Sequence, residues 1–361
     1  MPLLGCRSKQ AISLDADMKR RLPNNHFLRK LYNCCCLCCL IDLCCGFFKD
    51  FKEGGYFLPV EIASSCGIKI YAHLSNRVTF FNSPYPAHFE HKAVDIYPFS
   101  HDAPSPVEGK VTYIYEFTAP RTKQFQMPTK EYLIAIQTPV TSEYLVRILH
   151  VKPIVKVGDS VKVGQILGEM VKNGHFDSWT DRHMHVEIRP RDNLIRAKGG
   201  MPIYASLKWE KFYGVLPASS FQGKVVVQRP NYTLLKGPTA RMGLFSGLPV
   251  TVGKGIGILD GGLPHYGFGG VLARGSAEIG DPVYIEDVRI GHVTKIYSDG
   301  FARFEVEPFS VKLDNFSMKG ISCYMGLSGD FMWKLIPRDG KKMSLKDKAS
   351  VIICPQGQAL S

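Results

Sequence analysis

From Tyr56 onward, apolar and polar residues alternate with a period of two over short stretches. IKIYAHL (68–74), RVTFF (77–81), KVTYIY (110–115), YLIAIQT (132–138) and YLVRIL (144–149) are rich in β-branched and aromatic side chains. Successive side chains of a strand point to opposite faces, so each run predicts a short strand with a buried face. Pro, Ser and Gly fall between the runs and read as turns. No long stripe of helical period appears before residue 200. A second strand-rich stretch runs from about Phe221 to Pro337. Its glycine clusters at 253–257, 261–262 and 267–270 read as turns between strands, because neither phosphate-cradling glycine signature is present. The pattern predicts a mainly β protein without a repeat at the 20–50-residue scale.

Composition narrows this reading. With 361 residues, 45% hydrophobic and 21% charged, the chain is long enough for two packed domains and too apolar to be disordered throughout. The 45 Lys and Arg exceed the 32 Asp and Glu by 13. That excess favours polyanions, anionic lipid headgroups or an acidic polymer without choosing among them. No recognition helix or RNP-like motif accompanies it, so nucleic acid is not an expected partner.

The first 55 residues are of another kind. Residues 1–33 carry seven basic residues against Asp15 and Asp17, and residues 34–48 read CCCLCCLIDLCCGFF. Seven of the 11 cysteines lie between Cys34 and Cys45, which is no disulfide framework, because adjacent cysteines rarely bridge one another. Three readings stand for this segment. It is a membrane-surface or S-acylated anchor behind a basic stretch, an atypical signal or anchor segment, or a buried cysteine-rich helix or metal-binding tract. The apolar run falls short of the roughly 20 residues a spanning helix needs. The boundaries expected are a basic, cysteine-rich segment (1–55), a first β domain (56–205), a β-rich accessory domain (206–337) and a flexible tail (338–361).

Candidate chemistry rests on histidines. His183 and His185 form an H-x-H inside an apparent strand, where residues i and i+2 share one face. His91 and Asp95 add an imidazole and a carboxylate four residues apart, and His150 ends an apolar strand. Imidazole nitrogen and carboxylate oxygen are both good zinc donors, and a catalytic zinc needs three protein ligands and one open position. Taken singly, each of these histidines is as readily a structural residue.

The ordered set H-x-x-x-D, then H, then H-x-H resembles the LytM/lysostaphin-type zinc endopeptidases. Residues 91–111 are similar to that family's first block, with Ala103, Pro104, Gly109 and Val111 in place. Residues 150–188 are similar to its second block through Pro153, Val157, Gly158, Asp159, Val161, Gly164, Gln165 and Gly168, ending in the H-x-H-x-E of residues 183–187. The resemblance covers about residues 85–190. It implies an antiparallel β-sheet groove of the duplicated hybrid-motif kind. It further implies one Zn²⁺ held by His91, Asp95 and His185, with His150 and His183 catalytic. The implied reaction is hydrolysis of peptide bonds in peptidoglycan, at cell-wall cross-bridges or another glycine-containing peptide polymer. Two departures accompany it: Lys92-Ala93-Val94 lacks the glycine usual between His and Asp, and FDSWTDR (176–182) replaces a glycine-rich turn. Biotinyl and lipoyl carriers share the hybrid motif, but no modifiable lysine stands at the expected hairpin tip. The alternative from another class is a non-catalytic polymer-binding or scaffold protein on the same fold. The C-terminal β region is then expected to be a small barrel that docks the enzyme on its polymer or partner.

Overall fold

The computed structural model describes residues 58–356 apart from 122–126, 208–211, 274–276, 330, 339–342 and 344. The basic, cysteine-rich segment and the three readings of residues 34–48 lie outside the described residues. Among the described residues, no helix is long and apolar enough to cross a membrane.

The first half is built from β1 (Pro59–Ser65), β2 (Ile68–His73), β3 (Arg77–Thr79), the one-turn helix α1 (Pro86–Phe89), β4 (Val94–Tyr97), β5 (Asp102–Pro104), β6 (Gly109–Thr118), β7 (Lys130–Gln137), β8 (Tyr144–Leu149), β9 (Val151–Pro153), β10 (Ser160–Val161), β11 (Ile166–Met170), β12 (Met184–Pro190) and β13 (Tyr204–Ala205). The predicted mainly β class is what the structure shows. An antiparallel sheet runs β3–β4–β12–β8–β7–β6. Its register aligns one row of residues across all six strands: Thr79, Asp95, His185, Leu149, Leu133 and Tyr115. Cross-strand partners share a face, so this row brings Asp95 and His185 side by side. Alternate residues Val94, Ile96, Val186, Ile188, Val146, Ile148, Ile134 and Ile136 turn to the other face and are buried in the main core.

The second half closes on itself twice. Strands Phe245–Val252, Gly255–Leu263, Phe268–Leu272, Phe301–Val306, Val288–Ile296 and Pro282–Ile285 pair in that order, and the last returns to the first. Strands Ser220–Arg229, Tyr232–Lys236, Trp333–Pro337, Phe316–Cys323, Phe309–Leu313 and Lys348–Pro355 close a second six-stranded ring. Closure leaves no exposed edge. Two expectations change here. Lys348–Pro355 is a strand of the second ring, with Ala349, Val351 and Ile353 buried, so the tail is not flexible along that stretch. Its alternating apolar residues fill a ring position that a polar tail could not. The glycine clusters are largely strand, not turn: at Gly270 a Cβ would collide with the ring of Phe81, so only glycine lets the two halves approach there.

The halves share one core. A single apolar cluster contains Ile62, Phe80 and Ile148 together with Phe245, Phe301 and Leu327. Buried polar contacts fasten them further. Asp260, in the second half, accepts hydrogen bonds from Thr79 Oγ1 at 2.5 Å, Phe80 N at 2.6 Å and Phe81 N at 3.1 Å. Asn82 Nδ2 donates to Ser322 Oγ and to the Cys323 carbonyl. The segment 79–82, which leads into α1, is therefore set by residues about 180 to 240 positions away in sequence.

Candidate active site

Three buried side chains from three elements converge: His88 of α1, Asp95 of β4 and His185 of β12. Pro86 opens α1, where its fixed φ suits the first helical position. The turn carries His88 inward, and its Nδ1 donates to the Phe80 carbonyl at 2.8 Å. A carbonyl only accepts, so Nδ1 holds the proton and Nε2 presents a lone pair. That Nε2 lies 3.2 Å from Asp95 Oδ1 and 3.2 Å from His185 Nδ1. On the far side of its ring, His185 Nε2 donates to Glu187 Oε1 at 2.8 Å, which turns its Nδ1 toward Asp95 Oδ1 at 2.9 Å. Glu187 is itself fixed by Arg147 and, at 2.9 Å, by Arg189. The two arginines also donate to the carbonyls of Asn193, Leu194, Arg196 and Lys198, while Arg147 Nε is buried without a partner among the described residues.

The Phe80 carbonyl and the Glu187 carboxylate thus dictate two imidazole tautomers whose lone pairs meet beside the Asp95 carboxylate. Donors about 2.0–2.1 Å from a tetrahedral zinc are about 3.3 Å apart, so the observed spacings need open by only a few tenths of an ångström. The residues present fit a metal ion. Without one, the same convergence demands a positive charge. Burial opposes that charge on His185, but hydrogen bonds and coulombic attraction from Asp95 and Glu187 outweigh it and hold its pKa at about 9. Asp95 is likewise buried, and the imidazoles of His183, His88 and His185 keep its carboxyl well below the usual range despite that burial.

The two predicted catalytic histidines stand at the same place. Both line a pocket of about 340 Å³ together with Asp95 and His185. His150 Nδ1 donates to Glu131 Oε2 at 2.6 Å, leaving Nε2 as the free base. Glu131 also accepts from the backbone N–H groups of His150 and Tyr132 and from Asn173 Nδ2, and these donors and the His150 charge hold its pKa at about 2 against the effect of burial. His183 Nδ1 donates to the Asp181 carbonyl at 3.0 Å, and its Nε2 lies 3.4 Å from Asp95 Oδ2. Burial lowers the His183 pKa to about 4, only partly countered by Asp95. The rings of His150 and His183 are 5.1 Å apart, with Phe176 against both.

His91 is not brought to this cluster. Beyond the end of α1 it adopts φ 58°, in the left-handed region, and its ring swings away into an aromatic cage. It stacks on Phe81 at 4.9 Å and 11°, touches Phe80, Tyr297 and Phe301, and pairs through Nε2 with Asp299 Oδ2 at 2.8 Å. Its place as third donor is taken by His88, seven residues before Asp95 instead of four. The one-turn helix between Tyr85 and Glu90 makes the difference, and Pro86 is its trace in the sequence. The sequence reading assigns no role to Glu131 or Glu187, although Glu187 stands in the H-x-H-x-E run. Nor does it single out Tyr85, His175, Asp177 and Tyr266, which also line the pocket. Tyr266 belongs to the second half and carries no motif that ties it to the site.

Comparison with known proteins sets this geometry in context. Residues 68–205 match the family model of a domain of unknown function, the DUF8155 N-terminal domain, and residues 219–354 match that of the DUF8155 C-terminal domain. The two halves match the two domains of one family. No curated protein matches the chain. Among solved structures, a zinc-containing peptidase from Vibrio cholerae is similar at 21% identity and a TM-score of 0.22. That match covers 38% of this chain and 45% of the peptidase, so the chain spans less than half the length of that protein.

Proposed function

We propose that the protein is a zinc-dependent peptidase whose metal is held by His88, Asp95 and His185. One observation carries the reading: two imidazole lone pairs, each oriented by an outer hydrogen bond, meet a carboxylate within 3.2 Å in a buried corner of a pocket. The chemistry that zinc supplies when bound is polarisation of a scissile carbonyl and a lowered pKa for water. The chain's own residues supply the rest. His150 presents Nε2 as a proton acceptor, and Glu131 steadies the imidazolium that forms. His183, lowered to about 4, is neutral at pH 7, and with Nδ1 donating to the Asp181 carbonyl its Nε2 accepts a hydrogen bond. Phe176 and Tyr97 pack on these rings and limit water around them.

Cell-wall cross-bridges are the substrate that the sequence resemblance supports, and an endopeptidase acting on a glycine-containing polymer is the finer form of the proposal. The test is hydrolysis of cross-bridge peptides by the full chain, with loss of turnover in His150→Ala and in His183→Ala at unchanged zinc content. Intact turnover in both variants would remove the catalytic assignment.

A further inference from the structure

The pocket has a charge pattern at odds with the rest of the chain. The protein carries a surplus of 13 basic residues, yet no lysine or arginine is among the residues lining the pocket. Apart from Asp95, which belongs to the metal corner, the one carboxylate on the wall is Asp177. Tyr266 donates to its Oδ2 at 2.8 Å, and its Oδ1 has no hydrogen-bond partner among the described residues. The phenols of Tyr85 and Tyr266 are both raised, by burial first and by the Asp177 charge second. A carboxylate end of a substrate would find no lysine or arginine here, and the positive charge it would meet is that of the metal corner. A cationic group would find a fixed anion flanked by phenol oxygens and aromatic faces.

The wall that holds Asp177 is fastened by the second half of the chain. Tyr266 holds Asp177, Asn231 Nδ2 donates to the Ser178 carbonyl at 3.1 Å, and Trp179 lies against His265 with Lys319 4.0 Å from its ring. Lys334 and Tyr232 bind the Asp181 carboxylate at 3.0 and 3.1 Å. The FDSWTDR segment is thereby a rigid wall of the pocket. Rigid placement matters because a charge that is already fixed is not immobilised again on binding.

We infer that the pocket binds a primary ammonium group of the substrate, with Asp177 as its counter-ion and the second half of the chain holding that carboxylate in place. This inference rests on the peptidase reading and specifies its substrate. The ammonium group belongs to a peptide's amino terminus or to an amine-bearing side chain.

The experiment uses the full chain and three peptides: tetra-alanine, N-acetyl-tetra-alanine, and an N-acetylated tetrapeptide with one lysine. Binding is read by calorimetry, and zinc content is measured on the same sample. Tetra-alanine is expected to bind about tenfold or more tighter than its acetylated form. Asp177→Asn is expected to abolish that gap, while Tyr266→Phe, which keeps the carboxylate but releases it, is expected to narrow it without abolishing it. Tight binding of the lysine peptide alone assigns the ammonium to a side chain. Equal affinity of tetra-alanine and both acetylated peptides, or no binding of any of them, overturns the inference. A gap that survives in folded Asp177→Asn does so as well. Protein that takes up no metal removes the peptidase reading, whereas metal-bound protein without amine preference removes this inference alone.

Discussion

His88 and His91 lie one helical turn apart and face opposite ways. His88 turns its Nε2 to Asp95, and His91 turns its own to Asp299. Both rings are fully buried, and both pair with an aspartate, so burial and pairing alone do not tell a ligand from a structural histidine. The partners do. Asp95 is shared among three imidazoles, whereas Asp299 also accepts the Ala205 N–H and serves to close the chain around His91.

Substituting the two histidines is expected to separate these roles. His88→Ala should lose the metal. His91→Ala should keep it but destabilise the fold by about 3 kcal/mol, as a buried ring is deleted and Asp299 loses one of its partners. Zinc per chain and urea unfolding of both variants provide the check. Metal loss in His91→Ala with normal metal in His88→Ala would reverse the assignment.

Glu187 should matter through His185. Replacing it with glutamine exchanges the carboxylate that fixes the tautomer for a weaker, neutral acceptor, and zinc affinity should fall by about 10- to 100-fold. Competition with a chelator of known affinity measures this. Unchanged affinity would mean that His185 is oriented by the sheet alone.

Metal uptake should release protons. With the His185 pKa at about 9, the metal-free corner holds an imidazolium at neutral pH, and a coordinating nitrogen cannot keep that proton. Calorimetry of zinc binding at pH 7.5 in buffers of different ionisation enthalpy should report about one proton released per zinc. An enthalpy independent of buffer would contradict it.

The strands are legible in the sequence because apolar and polar residues alternate with a fixed period. The register that aligns a row across six of them is not, and the central strands Val94–Tyr97, Lys130–Gln137, Tyr144–Leu149 and Met184–Pro190 are buried on both faces. The alternation places His185 on a strand and His150 at a strand end, and the two arrive with Asp95 at one pocket. Local pattern ends there. A helix of four residues has no periodicity to read, so the exchange of His91 for His88 is invisible without the turn that Pro86 begins. The share of the second half in the site is equally hidden. Tyr266, Lys334 and Asp260 act through contacts made 89 to 181 residues away in sequence, and such pairings are set by tertiary packing.

Acid should expose the Glu131–His150 pair. A glutamate titrates near pH 4.3 when unfolded, and Glu131 titrates at about 2 in the folded chain. The folded pKa is depressed, so the stability it contributes is present above pH 4.3 and lost as pH falls toward 2, at most about 3 kcal/mol. Urea midpoints of wild type and Glu131→Gln between pH 2 and 6 should converge at the acid end. Parallel curves would show that Glu131 is not held as a carboxylate.

Asp260 tests the joint between the halves. Burial lifts its carboxyl to about 7 in spite of three donors. Asp260→Ala would leave the N–H groups of Phe80 and Phe81 buried and unpaired, at a cost of about 2–5 kcal/mol. Because these residues position α1, the same variant should weaken zinc binding. Loss of stability with unchanged zinc affinity would uncouple the joint from the site.

The most direct measurement is elemental analysis of the full chain after dialysis, for wild type and His88→Ala together. About one zinc per wild-type chain, absent from folded His88→Ala, is the outcome expected of a corner formed by His88, Asp95 and His185. Wild-type protein that stays metal-free after reloading, or His88→Ala that retains its zinc, would contradict it.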